Sequence, residues 1–228
     1  MNAFAAGFEA AHERLRGRWA AGIVAVSTIL VVVSAAILHR DSPADAADLV
    51  LSGVVFGLTV PIVAYAAVAR ACRYGRLDDG VAALTRYGAD RRLAVAGLVA
   101  GTGVRVAIVA AGLGAIAAVV AHGGLARDSA SDALVTGWVG ALGGASYSGL
   151  LSLASLFGRR GGGRGLALLA DAIFGMAASA VALPWPRAHL RSLLGGGLVE
   201  GLAERQSAAL LAGLCVAWVA VCLIRVPR

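Results

Sequence analysis

The chain has 228 residues, 59% of them hydrophobic and 14% charged, with a net charge of +7 at pH 7 and a mean hydropathy of +0.82. A soluble domain of this length cannot bury so much apolar surface, so lipid is the expected solvent for most of the chain. The positive charge comes entirely from arginine, and Cys215 and Cys222 share one apolar run while Cys72 lies apart. Three cysteines cannot all pair, so neither a disulfide framework nor a metal site is expected.

The N-terminal stretch, 1–19, places Phe4, Phe8, Ala11, Leu15 and Trp19 at helical spacing over 3–18, with Glu9, His12, Glu13, Arg14 and Arg16 mostly on the other side. Such a helix is expected to lie in the interface plane. It lacks the compact apolar core and small-residue cleavage site of a secretory signal.

Six apolar runs follow at 20–38, 49–70, 93–121, 133–157, 165–183 and 207–225. Each is long enough to cross a hydrocarbon layer of roughly 30 Å at about 1.5 Å per residue. The expected fold is therefore all-α: one integral membrane domain, 1–228, of six transmembrane helices. The basic connections follow the second and fourth runs, which does not fit a three-plus-three inverted duplication.

Arginine placement sets the orientation. With the N-terminus in the cytoplasm, the cytoplasmic segments hold fourteen arginines, while the outer segments hold five beside seven acids. Both termini are thus expected on the cytoplasmic side of the cytoplasmic (inner) membrane, and nucleic acid is not an expected partner.

The richest segment is Arg70–Arg92, with six of the arginines. It reads as a short helix with marked ends. Asp79 is the expected N-cap, Gly88 suits a left-handed residue past the C-terminus, and Asp90 can cap the next helix from Arg91. Val81 and Leu84 give this helix an apolar edge, beside Arg73, Arg76 and Arg86.

Two ionisable residues fall inside the spans. Arg105 lies about 25 Å and Asp171 about 20 Å from the outer ends of their helices, counted at 1.5 Å per residue. A charge in the core is costly unless paired or facing water, so an Arg105–Asp171 bridge is one expectation and snorkelling of Arg105 the other. Enzyme readings are weaker. GGASYSG at 143–149 offers Ser146 and Ser148 without a histidine inside any span, and a serine nucleophile needs a base. GRRGGGRG at 158–165 lacks the strand, lysine and hydroxyl residue of a phosphate loop. No catalytic residue is assigned.

The last outer segment, 184–206, reads as two short helices broken at Gly195–Gly197. Trp185, Leu190, Leu193 and Leu194 mark the first, and Leu198 and Leu202 the second. Such a hairpin would dip into the outer leaflet.

RLDDGVAALTRYGADRRLAVAGLV at 76–99, and LFGRRGGGRGLALL at 156–169, resemble segments in permeases of type-2 ABC exporters, with some likeness to the haem-exporter permeases of cytochrome c maturation. The resemblance rests on Asp79, Gly80, Leu84, the pair Gly88–Ala89 and Arg91–Arg92. It implies a dimer of six-span halves, homodimeric by preference, bound to two copies of an ABC-type ATPase that carry the ATP and Mg. The helix over 80–87, with Asp79, Gly80, Val81, Leu84, Arg86, Tyr87 and Gly88, would be the coupling helix. The N-terminal helix, with Phe4, Phe8 and Leu15, would be the connecting helix. This chain itself would bind no cofactor; the few polar groups in the spans, apart from the resemblance, favour an amphiphilic substrate. The alternative expectation is a carrier not driven by ATP, or a membrane anchor or assembly subunit.

Overall fold

The computed structural model describes residues 2–42, 45–124, 127–177, 179–196 and 201–226. It is 83% helix, without strands among the described residues. Nine helices carry the argument: α1 Ala3–Arg14, α2 Arg18–Asp41, α3 Ala46–Ala71, α4 Leu77–Arg86, α5 Arg91–Ala121, α6 Arg127–Ala154, α7 Gly163–Phe174, α8 Pro186–Leu193 and α9 Glu204–Arg225. Four of them, α2, α3, α5 and α9, are long and apolar enough to cross a membrane. Helix α6 is long as well, at 28 residues, but carries Tyr147 and a row of serines; its C-terminal half packs inside the bundle while Leu134, Val135 and Trp138 are exposed.

The fifth apolar run does not form one helix. Helix α7 has 12 residues, about 18 Å of rise, and the chain then turns at Gly175–Ala177 before a 3-10 turn at Ala180–Ala182 and helix α8. Hydropathy scores the run 165–183 as continuous because it reads side chains alone. The break comes where α8 packs back against α6 and α7.

Helix α3 is irregular in a different way. Val50–Thr59 is wound as a π-helix, and Val60 donates to the carbonyl of Val55, five residues back. One residue further on, Pro61 has no N–H to give to the Gly57 carbonyl four residues before it. Thr59 Oγ1 adds a bond of 2.8 Å to the Val54 carbonyl. Wide-wound segments of this kind free carbonyls that other groups can take.

Helix α5 is the hub, packed against α1, α2, α3, α4 and α6. At 31 residues it is about 46 Å long, about 16 Å more than a hydrocarbon layer of roughly 30 Å. Helix α1 runs along its N-terminal third in the same direction. A Cβ on Gly97 would fall 1.9 Å from the Phe4 carbonyl oxygen, and one on Gly7 2.0 Å from the Ala94 carbonyl oxygen. Only glycine at both positions lets the backbones approach so closely. Helix α1 is thus docked on α5 rather than separate from the bundle. Its buried side is Ala6, Gly7 and Ala11, followed by Leu15, while the Phe4 and Phe8 rings stack on each other, 6.5 Å apart, partly exposed.

At the other end of the bundle, Trp185 precedes α8 and stacks on Phe174 at 6.0 Å. Leu190 is buried against Gly143 of α6, and Leu194 caps the helix. Ser192 Oγ meets Ser207 Oγ of α9 at 3.2 Å. The expected second helix of this hairpin differs: Leu202 stands in a non-helical approach to α9, and Leu198 lies outside the described residues.

Candidate functional site

The arginine-rich segment builds a rigid, displayed helix. Helix α4 starts three residues earlier than its sequence suggested, with Arg76 as N-cap. Asp79 is not the cap but the third helical residue, and its carboxylate accepts the Arg76 N–H at 2.7 Å. This is the carboxylate half of a capping box, and it places negative charge in the first turn, where the helix dipole favours it. The C-terminus closes as a Schellman turn: Gly88, at φ 81°, donates to Thr85 at 3.1 Å and Ala89 donates to Leu84 at 3.2 Å. Asp90 then caps α5 through the Leu93 N–H at 2.9 Å, as its spacing predicted.

The root of α4 is tied down from three sides. Leu77 N–H donates to the Ser155 carbonyl. The buried guanidinium of Arg164 donates to the Gly75 carbonyl at 3.1 Å and to the Arg160 carbonyl at 3.2 Å. Arg14 donates to the Ala71 carbonyl, and Arg70 returns a bond of 2.7 Å to the Arg14 carbonyl while its guanidinium lies 4.8 Å over the Trp19 ring. Cys72 is enclosed in this cluster, and burial pushes its thiol up to about 11.

The expected apolar edge of α4 faces inward. Val81 is fully buried and Leu84 packs partly against the same core. A Cβ on Gly80 would meet Leu98 of α5 at 2.7 Å and the Ala71 carbonyl oxygen at 3.2 Å. Gly80 and Val81 therefore anchor the helix rather than offer it to a partner. The outward side is Asp79, Ala83, Arg86 and Tyr87, with Tyr87 92% exposed.

Arg105 and Asp171 do not meet. Arg105 donates to the Leu15 carbonyl at 3.1 Å and to His12 Nδ1. Asp171, fully buried, sits in a separate node that joins four helices. Its Oδ2 accepts the hydroxyl of Tyr147, from α6, at 2.8 Å, and its Oδ1 accepts the Arg187 backbone N–H, at the start of α8, at 3.1 Å. Arg187 Nε lies 3.5 Å from Oδ2, and the guanidinium reaches on to the Gly57 carbonyl in the π-wound part of α3. A charge buried in an apolar surround needs a partner nearby, and the break after α7 brings Arg187 back to supply it.

Sequence reasoning missed Tyr147, Arg187 and Gly57, because Arg187 falls in a segment that reads as an outer loop. The usable signal was Pro61 inside an apolar run, which marks Gly57 as a carbonyl short of its usual donor. The serines behave as helix-packing groups: Ser146 Oγ donates to the Leu211 carbonyl at 3.3 Å and Ser148 Oγ to the Gly144 carbonyl at 2.8 Å.

No family model matches the sequence, and no curated protein or solved structure matches it.

Proposed function

We propose that the chain is the membrane-spanning permease half of an ATP-driven ABC exporter in the cytoplasmic membrane, with its arginine-rich end in the cytoplasm. The observation that carries this reading is α4. It is a helix fixed at its root to α3 and to the α6–α7 turn, closed at both ends by hydrogen bonds, with Arg86 and Tyr87 turned out. A displayed helix that cannot yield locally passes displacement into the spans on either side of it. Arginine and tyrosine are also the side chains enriched at protein–protein contacts. In this reading two ATPase subunits carry ATP and Mg, each seating one α4, and two copies of the chain form the pathway.

The test is purification of the tagged full chain from its host in detergent, followed by photolabelling with an azido-ATP and an ATPase assay. A stoichiometric ATP-binding chain is expected, lost from Arg86→Glu/Tyr87→Ala while the permease keeps its melting temperature. A preparation without nucleotide-binding protein, or a double variant that retains it, overturns the reading.

One observation favours a second reading, a carrier driven by an ion gradient. Asp171 stands on a helix broken inside an apolar run, and broken helices with buried carboxylates mark coupling sites in such carriers. Transport that collapses with a proton or sodium gradient at constant ATP would select it.

A further inference from the structure

Helix α1, the first turns of α2, the last turns of α3 and the Val104–Val109 stretch of α5 border a cavity of about 450 Å³. Its wall is chemically two-ended. Along α2 it runs from Trp19 to Val24, along α3 from Ala67 back to Val63, and along α5 from Val104 to Val109. All three paths lead away from the arginine-rich end into the apolar bundle. At the opposite rim stand Arg105 and His12, the polar members of the wall.

Arg105 has no carboxylate within ion-pair distance among the described residues. Two of its guanidinium nitrogens donate to Leu15 and His12, and its remaining donors are free for a ligand. A guanidinium only donates, so His12 accepts from Arg105 at Nδ1, and its Nε2 stays at the rim. The cavity also opens sideways. Val24, Val104 and Ile108, which line it, are 38%, 49% and 66% exposed, and they belong to the surface that acyl chains would cover. A guanidinium with an imidazole beside it, above an apolar slot, complements one kind of molecule: an amphiphile with an anionic oxygen head. Basic pockets between spans at this membrane level take phosphate headgroups.

We propose that this cavity is a binding site for an anionic phospholipid, its phosphate on Arg105 and His12 and an acyl chain lying between α2, α3 and α5. The site depends on the chain spanning a bilayer and not on what drives it. Trp19 suits the level of the headgroup, where amphipathic rings concentrate, and is held there by Arg70. The bound lipid would cement α1 to the three helices at the end of the bundle where α4 is anchored.

The experiment is native mass spectrometry of the detergent-purified full chain, titrated with palmitoyl-oleoyl phosphatidylglycerol, with phosphatidylcholine of the same chains, and with glycerol 3-phosphate. Phosphatidylglycerol is expected to be retained about tenfold better than phosphatidylcholine, and glycerol 3-phosphate not at all. Arg105→Gln should abolish the preference, Arg105→Lys should keep part of it, and Ile108→Trp should reduce retention of both lipids by filling the slot. Arg205→Gln, which removes one exposed charge outside the cavity, should leave it unchanged. Equal retention of the two lipids by the unmodified protein overturns the proposal without any variant. So does binding of glycerol 3-phosphate as strong as that of the lipid, or a preference that survives in folded Arg105→Gln.

Discussion

Arg187 and Asp171 bind each other twice, through the backbone N–H at 3.1 Å and the guanidinium at 3.5 Å. Their two helices are separated by a break in what hydropathy reads as one span. The same arginine takes the carbonyl that Pro61 leaves short of a donor in α3. Removing either charge leaves the other buried and unpaired. Asp171→Ala and Arg187→Ala should each destabilise the fold by roughly 3–5 kcal/mol. Tyr147→Phe, which takes one hydroxyl from the carboxylate, should cost about 1–3 kcal/mol. Thermal unfolding of the purified variants in detergent checks this. Equal melting temperatures for Asp171→Ala and the unmodified protein would show that the node bears no weight.

The α1–α5 contact depends on backbone approach. Gly97→Ala puts a Cβ where the Phe4 carbonyl oxygen lies, and α1 must lift away, at a cost of about 1–3 kcal/mol. Gly22→Ala is the matched control, because its Cβ would meet nothing within 4 Å. Proteolysis in the turn after α1 should accelerate for Gly97→Ala and not for Gly22→Ala.

The closing turn of α4 can be tested apart from any partner. Gly88→Val forces a β-branched residue into the left-handed region and should cost about 1–2 kcal/mol. Asp90→Ala should cost about 1 kcal/mol by uncapping α5. Amide hydrogen exchange over 84–93 should speed in both variants, and unchanged exchange would mean that the turn contributes no local order.

Cys72 should resist alkylation. Burial raises its thiol from 9.0 to about 11, so the reactive thiolate is scarce at pH 8. The sign for stability follows from the neutral form being favoured in the folded state. The contribution is complete below the ordinary thiol value of 9.0 and falls as pH rises from there toward 11. In the Cys215→Ser/Cys222→Ser variant, which leaves Cys72 as the one thiol, maleimide labelling at pH 8 should be slow in the folded protein and fast after unfolding, and rapid labelling of the folded variant would contradict the enclosure of Cys72.

The helices that uninterrupted apolar composition builds, α2, α3, α5 and α9, were legible to within a few residues, because length and hydropathy determine them. The cap at Asp90 and the turn at Gly88 were legible because each rests on one residue type doing one local job. The errors share a cause. Spacing shows that Val81 and Leu84 lie on an apolar edge, but not whether the chain's own helices cover that edge. Depth along a span puts Arg105 and Asp171 at similar height, but not on facing sides of the bundle. The break after Phe174 is a tertiary event, made by α8 returning with Arg187.

The length of α5 has a mechanical consequence. The helix is about 16 Å longer than a hydrocarbon layer of roughly 30 Å is thick, and α1 and α4 both pack on its N-terminal third. A stiff helix gripped at one end and buried at Gly114 and Ala117 toward the other is a continuous strut, so a displacement of α1 or α4 reaches the far side of the bundle without passing through a loop.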